Sequence, residues 1–460
     1  MTYTDTFFLV LFILMFVAVR ALNGMPRLKE TLIIVFSCLI IASWGLFGLA
    51  VFLVVVVINY ISACMMQRIG SGRSRLLLAS TIVIDVGILV AFKYMSFIDV
   101  NLSEITSIKM PRFSLGIPIA ISFYTFHIIS YLVDLYAGRI VHTSFRKYLF
   151  YLSFFPHVIA GPIVRAWQLI PQIGVRRRIR TDMMMGLHLF VTGFFLKSVS
   201  ADNIAHGIDN IWQGTASYVL TAGDHWLVSF LYYCQIYADF GGYSLMALGM
   251  ARMLGYRLPP NFRSPMLGAS LQEFWRRWHI TLSRWLRDYV YFPLGGNRQG
   301  KLWTYFNISV TMLLGGLWHG AGWGFVIWGG MHGLGLVIER LLGRQHTRAF
   351  VGRWIYWWIV TQLWITLAWI FFRTSSFKEA CSFIGRMFNF RSSQNFYVHM
   401  QLIWLLIFAI PPLLHHLAPV FLRHLGRRRL VPFLGITTGT MIILSVLLVS
   451  PTKVFIYFKF

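Results

Sequence analysis

Residues Leu271 to Gly333 read LQEFWRRWHITLSRWLRDYVYFPLGGNRQGKLWTYFNISVTMLLGGLWHGAGWGFVIWGGMHG. Two histidines stand among tryptophans here: His279 follows an arginine pair, and His319 sits in an apolar run flanked by glycines. A neutral imidazole accepts a proton near physiological pH, which few other side chains do. Holding one inside a membrane segment costs free energy, so His319 is expected to face protein or a water-filled cavity. Residues 271–333 thus read as the catalytic core of a single integral-membrane domain spanning 1–460, whose remaining segments shape access to it.

The composition agrees with a membrane setting. The chain has 460 residues, of which 57% are hydrophobic and 12% charged, and its mean hydropathy is +0.66. Soluble domains carry about 25% charged residues, so the chain is expected to be integral to a bilayer. Aromatic residues, at 17%, suffice for interfacial belts as well as buried packing. The formal charge of +26 invites a nucleic-acid partner. Apolar spans interrupt the basic residues, however, and these form no soluble domain. They fit cytoplasmic loops and anionic lipid contacts instead, and no nucleic-acid partner is expected. Cys38, Cys64, Cys234 and Cys381 are scattered without CxxC or Cys/His ligand spacing, so neither disulfides nor a metal site is expected. The opening MTYTDTFFLVLFILMFVAVR has no basic stretch ahead of its apolar run and reads as a retained first span.

A crossing needs about twenty apolar residues. Candidate spans are 4–19, two within 31–66 separated by a turn at Ser43-Trp44-Gly45, 76–95, 116–137, 183–200, 225–250, 303–318, 322–341, 353–373, 400–419 and 431–449. The expected fold is therefore all-α and polytopic, with about twelve transmembrane helices plus re-entrant and interfacial helices. Alternate loops are basic, from Arg20, Arg27 and Lys29 in the first to Arg423, Arg427, Arg428 and Arg429 after the eleventh span. That pattern places the amino terminus outside. Residues 374–398 fit poorly, since a segment expected outside carries Lys378, Arg386 and Arg391. Residues 148–164 (LFYLSFFPHVIAGPIVR) are apolar but lie between two basic segments, and Pro156, Gly161 and Pro162 would break a straight helix. They are expected to form a re-entrant element with its irregular backbone covered by protein.

Read as a helix, Gln272 to Tyr289 places Trp275, His279, Leu282 and Leu286 on one face, with Arg276, Arg277, Arg284 and Arg287 off that line. The pattern suits an interfacial helix with its apolar face inward and its arginines toward water and headgroups. On spacing alone His279 could equally be a structural histidine bonded to backbone. The arginines could anchor lipid or, for Arg276 and Arg277, bind an anionic donor. Glycines around His319 could admit an acyl group beside a general base, or serve helix packing. His332 is expected to make a packing hydrogen bond. Asp85, Asp134 and Asp239 could pair with arginines or tyrosines, or form the proton path of a transporter. HExxH, GxSxG and Walker patterns are absent.

The segments FWRRWHITLSRWLRDYVYFPLGGNRQG and LWHGAGWGFVIWGGMHG resemble the membrane-bound O-acyltransferase family, in particular its bacterial branch of alginate O-acetyltransferase membrane subunits and teichoic acid D-alanyl transfer proteins. ISFYTFHIISYLVDLY, YLSFFPHVIAGPIVR, YCQIYADFGGYS and the ending KVFIYFKF extend the resemblance over most of the chain. It departs at Leu245, where the alginate branch usually has an acidic residue, and at His127, where that branch more often has glutamine.

The resemblance implies a funnel-containing helical fold, with His319 matching the family's catalytic histidine and His279 its supporting one. It further implies transfer of an acyl group, chiefly acetyl, from acetyl-CoA or another cytoplasmic thioester across the bacterial inner membrane onto an exported polysaccharide. A periplasmic or membrane-anchored SGNH-type acetyltransferase would be the partner. The alternative expectation is a proton-coupled transporter of a lipid-linked or anionic solute.

Overall fold

The computed structural model describes residues 2–22, 24–106, 116–159, 161–175, 180–212, 220–343, 351–390, 396–422 and 427–449, and their regular structure is helical throughout. Each of the candidate spans named above is mostly helical. Five helices among the described residues are long and apolar enough to cross a membrane: Leu46–Met66, Ser71–Thr106, Asp182–Trp212, Gly352–Arg373 and His399–Pro419. Thr6–Ala21 and Pro432–Leu448 are shorter apolar helices. Lys301–His319 and Trp323–Leu341 have the length to span. Their glycines, tryptophans and histidines lower the hydropathy, as suits helices that pack on protein. The chain is an all-α, multi-pass membrane protein.

It divides into two compact units. The first comprises Met1–Leu187 with Ala247–Pro259. Pro26–Ala42 lies beside Leu46–Met66, which lies beside Ser71–Leu89, which in turn packs on Ile121–Tyr136. Gly45, at φ +140°, turns the chain between the first two of these, a conformation open to glycine and costly for other residues. Two buried carboxylates of this unit have local partners: Asp85 accepts from Asn59 Nδ2 at 2.8 Å, and Asp134 pairs with Arg139 at 3.0 Å.

The apolar segment 148–164 is broken as its prolines and glycine require. The helix Phe145–Ser153 ends, a single turn Phe155–Val158 follows, and the backbone runs irregularly to Arg165. Residue 160 lies outside the described residues. Side chains serve this backbone: Tyr151 Oη donates to the Val164 carbonyl at 2.9 Å, and the Val164 amide donates to His127 Nε2 at 3.0 Å. Protein thus covers the non-helical stretch, the condition for irregular backbone at membrane depth. His127, an outlier against the branch pattern, is one of the groups that provide the cover.

The second unit comprises His188–Met246 and Pro260–Phe460. Its centre is the hairpin of Lys301–His319 and Trp323–Leu341, with Val351–Arg373 packed on the second arm. Gly316 and Gly329 let the two arms meet: a Cβ on Gly316 would lie 2.2 Å from the Phe325 carbonyl oxygen, and one on Gly329 2.4 Å from that of Met312. The glycines near His319 therefore serve helix packing first. Residues 374–398 contain an amphipathic helix, Phe377–Met387, capped by Ser376 Oγ accepting from the Glu379 amide at 3.2 Å. Ala380, Phe383 and Met387 are buried while Lys378 and Arg386 are exposed, so this basic segment is a surface helix. Arg391, like Arg344, Arg348, Arg423 and the ending KVFIYFKF, lies outside the described residues.

Asp239 is paired with a lysine. Lys197, on a π-helical turn (Leu196–Ala201), lies 2.7 Å from Asp202 and 2.9 Å from Asp239, all three side chains being almost wholly buried. A charge so placed needs such partners, because desolvating it alone costs several kcal/mol.

Candidate active site

The reading of 272–289 as one continuous helix is corrected by the structure. Leu271–Arg277 is a first short helix. Its start is fixed by Ser270 Oγ, which accepts from the Glu273 amide at 3.0 Å, and by the Glu339 carboxylate, which accepts from the amides of Leu271 and Gln272 at 2.6 and 3.1 Å. The helix then breaks. Trp278 is extended, His279 is left-handed at φ 39°, and a second helix runs Ile280–Leu286 into a π turn at Arg287–Tyr291. A non-glycine residue in this region costs of order 1–3 kcal/mol and persists only where its surroundings over-determine it. The side-chain faces nevertheless follow the expectation. Trp275, His279, Leu282 and Leu286 are buried, whereas Arg276, Arg284 and Arg287 are exposed and Arg277 is half-buried.

Asn261 holds the break in place. Its carbonyl accepts from the Ile280 amide at 2.8 Å, and its side-chain Oδ1 accepts from Thr281 Oγ1 at 2.7 Å and from the Thr281 amide at 3.4 Å. Its Nδ2 donates to Ser244 Oγ at 3.2 Å. An amide can only donate, so the atom facing Thr281 is the oxygen. His279 Nδ1, 3.1 Å from that same oxygen, must therefore carry the proton and donate. Its Nε2 keeps the lone pair, and that nitrogen is buried with no hydrogen-bond partner among the described residues. Burial pushes the His279 imidazole down to about 3, which keeps it neutral at ordinary pH.

His319 is the last residue of its helix and is 3% exposed. Trp328 and Phe372 stand edge-on to its ring, at 5.1 and 5.4 Å between centroids, and the neighbouring Trp318 is at 5.0 Å. Trp318 also lies 5.9 Å from His279, and Phe240 closes the other side of that ring at 4.7 Å. The two histidine rings are 6.3 Å apart. Rings at that separation keep their nearest nitrogens roughly 4 Å or more apart, too far for a direct hydrogen bond. The structure thus brings the two sequence candidates into one aromatic chamber.

His332 makes the packing bond expected of it. Trp275 Nε1, which can only donate, bonds to His332 Nδ1 at 3.3 Å, so the proton of the neutral ring is on Nε2. That N–H is buried without an acceptor among the described residues, as are the indole N–H groups of Trp278, Trp328 and Trp369. Trp328 touches His332, Trp369 and His319, and Trp369 touches Trp278. The chamber is therefore apolar in shape but rich in donors.

Beside it opens a cleft of about 610 Å³. Trp275 and Ile280 form part of its wall, and Arg276, Arg284, Arg287 and Arg340 line it. Arg276 is therefore at this cleft. Arg277 is not among the lining residues and pairs with Glu273 at 2.5 Å. Among the described residues no cluster of three His, Cys, Asp or Glu side chains could hold a metal ion.

Sequence comparison decides what kind of protein this is: residues 36–377 match the profile of the membrane-bound O-acyltransferase family. The chain belongs to that family. The probable alginate O-acetylase AlgI of Pseudomonas aeruginosa is 38% identical over 404 residues, covering 86% of this chain and 76% of that protein. A peptidoglycan O-acetyltransferase of Helicobacter pylori is 34% identical, covering 79% of this chain and 74% of its own length. A teichoic acid D-alanyltransferase of Bacillus subtilis is 25% identical over 54% of this chain and 64% of its own length. This O-acyltransferase is accordingly a membrane-embedded enzyme that transfers acyl groups.

Three contributors escape reading by periodicity. Asn261 lies in an irregular segment eighteen residues before His279, where no repeat marks it. Glu339 and Arg340 come from a helix far along the chain.

Proposed function

We propose that the protein transfers an acetyl group from a cytoplasmic thioester, acetyl-CoA, toward a hydroxyl of an exported polysaccharide at the bacterial inner membrane. A periplasmic or membrane-anchored SGNH-type protein serves as the acceptor partner. The relatives named for alginate and peptidoglycan O-acetylation support acetyl as the group and a glycan as the destination. The observation that carries the chemistry is the pair of buried imidazoles, 6.3 Å apart and walled by aromatic rings.

In this reading the acceptor hydroxyl sits between the rings. His319 takes its proton as the oxygen attacks the thioester carbonyl; the new C–O bond forms, the C–S bond breaks, and the imidazolium returns the proton to the departing thiolate. General-base help of this kind contributes typically 10²–10⁴-fold. His279, with a lone pair and no N–H on Nε2, can neither share the one hydroxyl proton that His319 takes nor polarise the carbonyl, so its part is to wall the chamber beside the reacting oxygen. Buried N–H donors, of which Trp328 touches His319 and His332 touches Trp328, are suited to the negative charge that develops on the carbonyl oxygen.

The test is acetyl transfer by the purified chain in nanodiscs, given labelled acetyl-CoA with a soluble SGNH-type acceptor. Label is expected on the acceptor with the wild type and to fall by at least about 10²-fold with His319→Ala. Turnover that His319→Ala leaves unchanged would remove the histidine from the chemistry. Solute flux into liposomes without any label transfer would point to transport.

A further inference from the structure

The first unit holds a nucleophile, a base and an orienting group that the histidine chemistry of the second unit does not use. Cys64 lies in the last turn of Leu46–Met66 and is half-buried. Its Sγ is 3.2 Å from Nε2 of His142, a half-buried residue in the loop after Ile121–Tyr136. Nδ1 of the same ring is 3.2 Å from Tyr131 Oη. All three residues belong to the first unit, whose packing brings Leu46–Met66 beside Ile121–Tyr136.

The imidazole is held from both sides. Tyr131 is fully buried with its ring 4.7 Å from that of Tyr148, so its hydroxyl is a fixed point. That oxygen accepts from the Thr143 amide at 3.4 Å, and its second lone pair is free to accept from Nδ1–H when the ring carries both protons. Tyr60 lies over the imidazole at 5.1 Å between centroids, and its hydroxyl donates to the Thr143 carbonyl at 3.3 Å and reaches the Cys64 thiol. Burial pushes the His142 imidazole down from its ordinary value, so the ring is a neutral base at ordinary pH. A thiol within reach of a base that a third group orients is the arrangement of an activated nucleophile. The other cysteines lack it. Cys38 is half-buried, Cys234 buried and Cys381 exposed, and none of them bonds a histidine among the described residues.

The location selects the electrophile. Arg68 follows Cys64, and Arg139, Arg146 and Lys147 flank His142. The alternation of basic loops assigns this end to the cytoplasm, where thiols are kept reduced and do not pair as disulfides. The electrophiles that an acyl-transferring enzyme meets there are thioesters, and a thiol exchanges with a thioester without any further reactant.

We propose that Cys64 is a second acyl-accepting site, at which its sulfur, deprotonated by His142, takes the acyl group of a coenzyme A thioester. Sγ attacks the thioester carbonyl, the new S–C bond forms, and the donor's C–S bond breaks. The proton passes from Sγ to His142 Nε2 and on to the departing thiolate. Tyr131 is a positioning residue, acting through His142. One thioester replaces another, so the modification reverses in excess free coenzyme A. This goes beyond transfer to a polysaccharide and rests on that reading only for the presence of the thioester.

The full chain in nanodiscs is incubated with labelled acetyl-CoA and no acceptor protein. Label released by neutral hydroxylamine, which cleaves thioesters, is mapped to cysteines by mass spectrometry. Within the wild type, Cys64 is expected to acquire label ahead of the more exposed Cys381, a comparison that needs no variant. Cys64→Ala should abolish the fast label. His142→Gln should slow it at least about tenfold through loss of the base, and Tyr131→Phe, which leaves thiol and base in place, should slow it less. His319→Ala should leave it unchanged, which separates this site from the histidine chamber. Absence of hydroxylamine-labile label on wild-type Cys64, label on Cys381 at the same rate, or a rate that His142→Gln does not alter would overturn the assignment.

Discussion

A single hydrogen bond decides what His279 can do. With Asn261 Oδ1 accepting from Nδ1, the neutral ring offers a lone pair and no donor to the chamber. Asn261 is therefore a positioning residue, acting through His279. Asn261→Ala should leave Nδ1 buried without an acceptor, costing about 1–3 kcal/mol of stability, and should lower acyl transfer through loss of the tautomer. Asn261→Asp separates these effects: a carboxylate beside the imidazole raises its pKa, so protonation of His279 moves up from about 3 toward neutral. The acid limb of the pH–rate profile is then expected to shift upward, whereas a merely structural Asn261 would change the plateau and leave the limb in place. The same burial has a consequence for stability. The unfolded His279 binds a proton below its ordinary 6.5, while the folded ring stays neutral down to about 3. Its contribution is complete above the unfolded value and is lost as pH falls through that window. His319 stood out in the sequence because an imidazole in an apolar run needs a reason, whereas spacing showed His279 only as an inward-facing histidine and the resemblance alone implied a supporting role for it. Asn261 was not legible, because side-chain hydrogen bonds across eighteen residues of irregular chain leave no period to read.

At the level of elements, the chamber depends on helix ends and close helix contact more than on propensity. The break at Trp278-His279 contains neither glycine nor proline, so the local sequence reads as continuous helix, and only the tertiary bonds to Asn261 reveal the interruption. The spacing argument still assigned the faces correctly, since seven-residue helices on either side preserve the direction of their own apolar positions. Glu339 should matter out of proportion to its distance in sequence. Glu339→Ala removes the acceptor for two amides at the start of Leu271–Arg277, and a loss of about 0.5–2 kcal/mol is expected in thermal unfolding in detergent. Gly316→Ala is a sharper probe, because its Cβ would meet the Phe325 carbonyl at 2.2 Å. The hairpin must spread, with a cost of about 1–3 kcal/mol and displacement of His319 three residues away. Activity should fall at temperatures where the protein remains folded.

Across the whole molecule, composition and apolar segments sufficed for an all-α, multi-pass membrane protein, because a chain with so little charge has few other ways to satisfy its backbone. Which helices serve as packing elements was harder to read. Lys301–His319 and Trp323–Leu341 hold His319 and the Trp328 and His332 rings near it, and their glycines and tryptophans depress the hydropathy that marks a lipid-facing span. Buried charges give this level its own test. Lys197 pairs with both Asp202 and Asp239 inside the second unit, so Lys197→Met should cost about 3–5 kcal/mol. Pairing it with Asp239→Asn should restore part of that loss, as a double-mutant cycle on thermal stability would read.

The central claim is that His319 removes the acceptor's proton. Single-turnover consumption of labelled acetyl-CoA, followed at saturating donor in nanodiscs with an acceptor present, tests it directly for wild type, His319→Ala and His279→Ala. At least about a 10²-fold slower chemical step is expected for His319→Ala, with donor affinity unchanged in both variants and a smaller rate loss for His279→Ala. A His319→Ala protein that consumes the thioester at the wild-type rate would contradict the claim.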